Sequence, residues 1–409
     1  MIYASSTTDE YDVDLSFGDV SLREAVNHAM TAGVPTTVDL KAGTYYLTLW
    51  GSGGISQGDL DITGNVMIVG NGPGISVIDA GGIISGDRIF DVLNGATLGV
   101  SRVTLTLGEA PDSFQHDGGS IRVQNGGIFN LDYSAIVSNI TGRDGDGGAI
   151  FFAATASGSI RNSVITVNEA DVATGGVHLA SATAGTGGTV IVGNSIIAKN
   201  TDDNSGSPNV YAGTNRTFTS EGNNRLGNVT TGFTNGVNGD YFGTPDYIVT
   251  TIVDAYDGTS DPVFMTIRDA IHLANMATGA QEIWLPAWDF VLTRDRATFG
   301  SGTTDTDVAF GDLDIKGSLT IRGIGTATSV QWKPGVIDRV FELVGDYNGD
   351  GTVNSADYTV WQNTLNSTPE PDAVSADGDD NGTVEQADYN VWLAYFGNTF
   401  NLLNVSLDV

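Results

Sequence analysis

Ser134-Ala135-Ile136-Val137-Ser138-Asn139, Ser163-Val164-Ile165-Thr166-Val167-Asn168 and Ser195-Ile196-Ile197-Ala198-Lys199-Asn200 share one Ser-x-Ile-x-x-Asn pattern, at spacings of 29 and 32 residues. Gly118-Gly119, Gly147-Gly148 and Gly175-Gly176 keep the same beat, at 29 and 28 residues. Between these corners lie short alternating β-prone runs, the pattern of half-buried strands. Gly or Asn at a corner supplies the left-handed backbone that a tight bend requires. A period of about 30 fits one coil of a parallel β-solenoid, three short strands and three turns. Stacked coils would put Ile136, Ile165 and Ile197 in one internal apolar column, and Asn139, Asn168 and Asn200 in a ladder of amides bonding coil to coil. The WD pairs of propeller blades and the Leu-x-x-Leu-x-Leu of leucine-rich repeats are absent.

A longer repeat encloses the short one. Thr8-Asp9-Glu10-Tyr11-Asp12 returns as Val253-Asp254-Ala255-Tyr256-Asp257, and Leu22-Arg23-Glu24-Ala25-Val26 as Ile267-Arg268-Asp269-Ala270-Ile271, both 245 residues later. Gly58-Asp59-Leu60-Asp61-Ile62 matches Gly311-Asp312-Leu313-Asp314-Ile315, and Asp87-Arg88-Ile89-Phe90 matches Asp338-Arg339-Val340-Phe341. The chain therefore reads as one whole unit and the opening of a second. Each opening predicts a helix: Leu22, Ala25, Val26 and Ala29 recur at helical spacing, with Ser21 as N-cap and Glu24 completing a capping box. Ile267, Ala270, Ile271 and Ala274 repeat this behind Thr266. Such a helix would cover the open apolar end of the first coil.

The Ser21-Leu22-Arg23-Glu24-Ala25 stretch and the strands after it resemble the CSLREA domain, an N-terminal module of bacterial right-handed β-helix surface proteins, with Val20 and Met265 in place of its Cys. Thr219-Ser220-Glu221-Gly222-Asn223-Asn224 with Leu226-Gly227 resembles the end of the choice-of-anchor Q domain that often follows. Together the resemblances span roughly residues 5–245 and again 250–344, and they imply a surface-exported β-helix.

Charge narrows the function classes. Lys+Arg number 17 against 49 Asp+Glu, a net −32, and the four lysines, Lys41, Lys199, Lys316 and Lys333, are scattered. No basic stripe exists to displace the counterions of a nucleic acid. So acidic a chain suits either a self-repelling, solubilising surface or carboxylates that expect divalent cations. The absence of cysteine removes disulfides, thiolate metal sites and a cysteine nucleophile. No apolar run is long enough to span a membrane, and the start lacks the features of a signal peptide.

The strongest chemical signal lies near the C-terminus. Asp346-Tyr347-Asn348-Gly349-Asp350-Gly351-Thr352-Val353-Asn354-Ser355-Ala356-Asp357 has oxygen-bearing side chains at positions 1, 3, 5, 9 and 12 and glycine at 6. Asp377-Gly378-Asp379-Asp380-Asn381-Gly382-Thr383-Val384-Glu385-Gln386-Ala387-Asp388 repeats it 31 residues on. This spacing wraps a chain around Ca²⁺. Asp346, Asn348 and Asp350, or Asp377, Asp379 and Asn381, would bind by side chain, Thr352 and Thr383 by backbone carbonyl, Asn354 and Glu385 directly or through water, and Asp357 and Asp388 at the last position. Two ions are expected. Each loop leads into one helix, in which Tyr358, Trp361, Tyr389 and Trp392 occupy equivalent positions and are expected to form a packed core.

A duplicated loop-helix without entering helices resembles the type I dockerin domain, over residues 345–398. The resemblance implies docking onto a cohesin, with Ser355-Ala356 and Gln386-Ala387 at the positions that help read the partner. Phe341-Glu342-Leu343-Val344 matches Phe90-Asp91-Val92-Leu93, and Leu403-Asn404-Val405-Ser406 matches Leu98-Gly99-Val100-Ser101. The module is therefore expected as an insert in a turn of the second solenoid, and the chain, ending in mid-coil, as a piece of a longer tandem array.

Carboxylates converging on consecutive coils would mark a polysaccharide hydrolase or lyase. The candidates are Asp144 and Asp146 with Arg143, then Glu169, Asp171 and Arg161. Asp144 and Asp146 lie in a Gly-Asp corner just before Gly147-Gly148, which favours a turn role, and no catalytic residue is assigned. His28, His116, His178 and His272 share no metal-ligand spacing, and no nucleophile elbow, phosphate loop or dinucleotide fingerprint occurs.

The expected architecture is mainly β: a right-handed parallel β-helix in tandem units with short N-terminal capping helices, and a small helical calcium-binding insert. The expected segments are 1–246, 247–344, 345–398 and 399–409. The expected role is a secreted or cell-surface structural or adhesive protein, whose partner is a cohesin-like protein or a cell-surface or matrix polysaccharide; an enzyme is disfavoured and activity is left open. The alternatives are a polysaccharide-active enzyme or enzyme-associated scaffold, and a simple spacer.

Overall fold

The computed structural model describes all residues except 13–14, 17, 50, 52–53, 82–85, 112–115, 204–207, 228–231, 296–307, 337–338, 369–375, 380 and 409. Asp338 of the long repeat and Asp380 of the second calcium-type loop lie outside the described residues. The chain forms two units, residues 1–244 with 262–264, and residues 245–261 with 265–409.

The first unit is a parallel β-solenoid built from three sheets of eight, six and eight strands. The register aligns the short repeat as its periodicity predicts. Leu105, Ile136, Ile165, Ile197 and Leu226 stack in one column, and all five are fully buried. Beside them runs the amide ladder. Asn139 Nδ2 donates to Asn168 Oδ1 at 2.8 Å, Asn168 Nδ2 to Asn200 Oδ1 at 2.9 Å, and Asn200 Nδ2 to Asn209 Oδ1 at 3.1 Å. The same oxygens accept the backbone N–H of Asn139, Asn168 and Asn200. Each buried amide is thereby satisfied by its neighbours, which is what makes a polar column tolerable inside an apolar stack. A second ladder uses hydroxyls: Ser163 Oγ accepts from Ser134 N at 3.2 Å, and Ser195 Oγ from Ser163 N at 3.3 Å.

The corners differ in part from the sequence expectation. The bends before Ser163 and Ser195 do use Asn162 and Asn194, at φ 49° and 51°, but the bend before Ser134 uses Tyr133, at φ 46°. The bend before Asn139, Asn168 and Asn200 uses Ser138, Val167 and Lys199, and the equivalent bend one coil earlier uses Leu107 before Gly108, all at φ between 56° and 57°. A β-branched residue such as Val167 is strained there, and the hydrogen-bonded asparagine that follows holds it in place.

Helix α1 (Leu22–Thr31) has the expected capping box between Ser21 and Glu24 and packs against strands that include Leu60–Ile62, the edge of the six-stranded sheet. Helix α2 (Ile267–Met276), capped by Thr266, opens the second unit in the same way. Both helices bury the arginine of the repeated motif. Arg23 Nε meets Asp9 Oδ1 at 2.8 Å and Arg268 Nε meets Asp254 Oδ1 at 2.6 Å, with all four side chains at most 2% exposed. Asp9 Oδ2 also accepts the N–H groups of Thr48 and Leu49, and Asp254 Oδ2 that of Arg294. The repeated Asp and Arg are thus the two jaws of one buried clamp.

The second unit is also a parallel solenoid, with sheets of four, three and two strands. In its first full coil, residues 316–318 turn the corner from strand Leu313–Ile315 to strand Leu319–Arg322. In the next coil the same corner, between Phe341–Leu343 and Phe400–Leu403, holds a helical module with helices α3 (Ser355–Thr364) and α4 (Gln386–Tyr395). The returning strand pairs Phe400 with Leu319 and Leu403 with Arg322. Since Val66 of the first unit pairs with Leu98, Phe400 takes the place of Leu98. The expected match of Leu403 to Leu98 is therefore corrected by three residues. Asn404, at φ 57°, occupies the left-handed corner that Arg102 fills at φ 62°.

Candidate metal centre

Two loops of the same geometry precede α3 and α4. In the first, Asp346 Oδ1 accepts from Gly349 N at 2.9 Å and Oδ2 from Gly351 N at 2.7 Å. In the second, Asp377 Oδ1 accepts from Asn381 N at 3.1 Å and Oδ2 from Gly382 N at 2.8 Å. Gly351 and Gly382 make these turns at φ 84° and 88°, the left-handed region that favours glycine. Asn348 Oδ1 and Asp350 Oδ1 accept from the N–H groups two residues on, and so do Asp379 Oδ1 and Asn381 Oδ1.

The last carboxylate of each loop sits in the first turn of its helix. Asp357 accepts from Asn348 N at 3.0 Å and Asn354 N at 2.7 Å. Asp388 accepts from Gly378 N at 2.8 Å and Glu385 N at 2.6 Å. Both residues are fully buried. Burial pushes the Asp388 and Asp346 carboxyls up, against the lowering effect of these N–H donors. Oxygens of Asp377, Asp379 and Asp388 lie within 4.8 Å of one another. At position 9, Asn354 Oδ1 caps α3 by accepting from Ala356 N, and its Nδ2 donates to the Thr352 carbonyl at 3.0 Å. Glu385 is exposed, and its Oε1 accepts from Asn381 Nδ2. Thr383 is half-buried.

The halves are locked reciprocally. Trp361 Nε1 of α3 donates to the Glu385 carbonyl of the second loop, and Trp392 Nε1 of α4 to the Asn354 carbonyl of the first, both at 2.7 Å. Tyr347 donates to the Asp388 carbonyl at 2.6 Å. Tyr358, Trp361, Tyr389 and Trp392 pack as one aromatic group with centroids 5.2 to 6.0 Å apart, as their matching positions predict.

Two further carboxylate groups lie in the solenoids, Asp59, Asp61 and Asp91, and their repeat counterparts Asp312, Asp314 and Glu342. Arginines share both. Arg88 meets Asp59 at 2.9 Å, Arg122 pairs with Asp91, and Arg339 bridges Asp312 and Glu342. The module differs: residues 345–398 contain ten Asp and Glu and no Lys, Arg or His. Among the described residues, its buried Asp357 and Asp388 meet N–H donors and no cationic side chain. Hard oxygen donors gathered around excess negative charge fit Ca²⁺.

The residues considered for catalysis do not form one cluster. Asp144 N donates to Asp171 Oδ2 at 2.7 Å, in a corner where Asp144 stands at φ 64°. Arg161 pairs with Glu221 at 2.6 Å on the eight-stranded sheet that holds strands Ser157–Arg161 and Phe218–Gly222, away from that corner. Asp146 instead neighbours Asp117, whose carboxylate accepts its N–H at 3.0 Å, and His178 Nε2 at 3.7 Å. Burial, then Asp117, raises Asp146 to about 6. Burial lowers His178, stacked between Phe151 and Tyr211, to about 4. Asp117, which sequence spacing did not single out, reaches Asp146 because the two occupy equivalent corners of consecutive coils. His272 Nδ1 lies 3.0 Å from the Tyr256 hydroxyl, and His28 is exposed.

No helix among the described residues is long and apolar enough to cross a membrane. The chain matches no curated protein and no solved structure. Residues 344–395 match the family model of the Dockerin type I domain, a calcium-binding docking module whose typical partners are cohesins.

Proposed function

We propose that the chain is a structural, adhesive right-handed β-helix protein of the cell surface or extracellular space, carrying a dockerin module organised by two calcium ions. The ligands are Asp346, Asn348, Asp350, the Thr352 carbonyl, Asn354 and Asp357 for one ion, and Asp377, Asp379, Asn381, the Thr383 carbonyl, Glu385 and Asp388 for the other. One observation carries this reading: Asp357 and Asp388 are fully buried in a segment without a basic side chain. The solenoids at residues 1–246 and 247–344 are read as CSLREA and choice-of-anchor Q modules, with the module at 345–398 and the resumed solenoid at 399–409. Export fits the dockerin, since proteins carrying one are typically extracellular or on the cell surface. The docking partner is a cohesin-type protein. Binding of the full chain to an immobilised type I cohesin, with calcium and with chelator, tests this. Saturable binding that chelator abolishes is expected; calcium uptake without cohesin binding would leave the ions a purely structural role.

A second reading, a polysaccharide hydrolase or lyase, is favoured by one observation. Asp146, raised to about 6, combines with Asp117 and a neutral His178 on one solenoid face, and a carboxyl whose titration is shifted up toward neutral pH suits a general acid. Release of reducing or unsaturated ends from acidic polysaccharides, lost in Asp146→Asn, would establish it. No release from any of them would remove it.

A further inference from the structure

Among the described residues, the ribbon that joins the module to the solenoid is made by the first of its two loops. The Gly351 carbonyl accepts Phe400 N–H at 2.9 Å, Val353 N–H donates to the Asn398 carbonyl at 3.0 Å, and the Val353 carbonyl accepts Gly397 N–H at 2.8 Å. Thr352, whose carbonyl is a proposed ligand, faces Thr399 in an antiparallel bridge. The other side of the 397–400 segment is bonded to the solenoid corner. Thr399 N–H donates to Ser318 Oγ at 3.2 Å, its carbonyl accepts Leu319 N–H at 2.9 Å, and Asn398 Nδ2 donates to the Lys316 carbonyl at 3.2 Å. In the second loop the equivalent ribbon joins Val384 to Asn366 and Ser367, at 2.8 and 3.0 Å, within the module itself.

The returning strands pair with strands Leu319–Arg322 and Ser329–Trp332 of the preceding coil, and the Phe400 ring lies 5.5 Å from that of Phe341. Phe400–Leu403 and Ser406–Asp408 lie at the edges of their sheets, and Leu403 and Leu407 are 38% and 41% exposed. Strand Phe400–Leu403 is bonded to the solenoid along one side. Its other row of hydrogen bonds begins on the first calcium loop.

We infer that calcium in the first loop, and not in the second, governs the docking of strands Phe400–Leu403 and Ser406–Asp408 onto the solenoid. The inference rests on the proposed calcium ligands and adds a regulatory consequence to them. Without the ion, the carboxylates of Asp346, Asp350 and Asp357 repel one another, and the loop loses the shape that presents the Gly351 carbonyl and the Val353 amide to residues 397–400. With the ion, the loop is a rigid template from which the solenoid strand resumes.

Hydrogen exchange by mass spectrometry on the full chain tests this, comparing peptides over 397–408 with a control over 281–292. At calcium about 100 times Kd, exchange over 397–408 should slow by up to about 100-fold, with the control unchanged. Asp377→Ala should keep this protection and Asp346→Ala should lose it. Phe400→Pro deletes the N–H given to Gly351 while keeping every ligand. It should still take up two ions, lose the protection, and, because coupling is reciprocal, bind one of them more weakly. Calcium uptake with unchanged exchange over 397–408, or equal loss of protection in Asp346→Ala and Asp377→Ala, overturns the coupling while leaving the calcium sites intact. Absence of uptake by the native chain removes the sites themselves.

Discussion

In the solenoids, buried charge is met by the protein: Arg23 closes on Asp9, Arg268 on Asp254 and Arg122 on Asp91. In the module, Asp357 and Asp388 are as deeply buried, and residues 345–398 contain no basic side chain to meet them. The solenoids also have long apolar columns and amide ladders, whereas the module's buried apolar cluster consists of Tyr347, Trp361, Ala376 and Val384 with a few half-buried neighbours. The contrast separates a region whose buried charge is paired within the polypeptide from one whose proposed partner is a cation from solution. Coils stack indefinitely on the same contacts, whereas about 50 residues bury too little to be stable without a staple.

The largest test of this contrast is calcium removal. Chelation should leave the solenoid melting transition in place and shift a separate module transition down. Two sites filled at about 1,000 times Kd would contribute roughly 8 kcal/mol, as read by scanning calorimetry. A single transition that moves as a whole with calcium would break the comparison. The next effect is Arg23→Met, which leaves Asp9 buried without its partner and should cost about 3–5 kcal/mol in denaturant unfolding of the first unit, with and without calcium alike. Asn168→Ala removes one rung from a buried ladder and leaves Asn139 N–H and the Asn200 oxygen underused. It should cost about 3 kcal/mol, again independently of calcium.

The smallest effect concerns pH. Asp146 is raised to about 6, so its contribution to stability is complete below the unfolded carboxyl value and is lost as pH rises through about 6. Asp146→Asn should therefore match the native chain near pH 4 and exceed its stability by about 2 kcal/mol near pH 8. His178, lowered to about 4, acts in the opposite direction as pH falls, and it is common to both proteins. Equal stabilities at both pH values would contradict the burial of the Asp146 charge.

Much of this was legible in the residues. The Ser-x-Ile-x-x-Asn period located the inner column and the amide ladder because position within a coil alone fixes which side chains meet. The Ser21/Glu24 box and the ligand spacing of the two loops were equally local. What escaped was contact between segments far apart in the chain. The long repeat matched Asp9 to Asp254 and Arg23 to Arg268 without indicating that each pair closes a clamp. Val167 does not announce a left-handed corner, since the following asparagine imposes it, and neither does Leu107, where the N–H of the following Gly108 is held by Asn139 Oδ1 of the next coil. The Leu403 match slipped by three because alternating apolar residues offer several registers, and only pairing with Leu319 selects one. The ribbon between the first loop and Phe400 is made of backbone groups, to which side-chain patterns are blind.

Calorimetric titration of the full chain with calcium tests the central claim most directly. The account predicts two ions per native chain, with Kd values on the order of 10⁻⁴ to 10⁻³ M or tighter, and one ion per chain in Asp346→Ala and in Asp377→Ala. Absence of uptake by the native chain, or uptake that both substitutions leave unchanged, would contradict it.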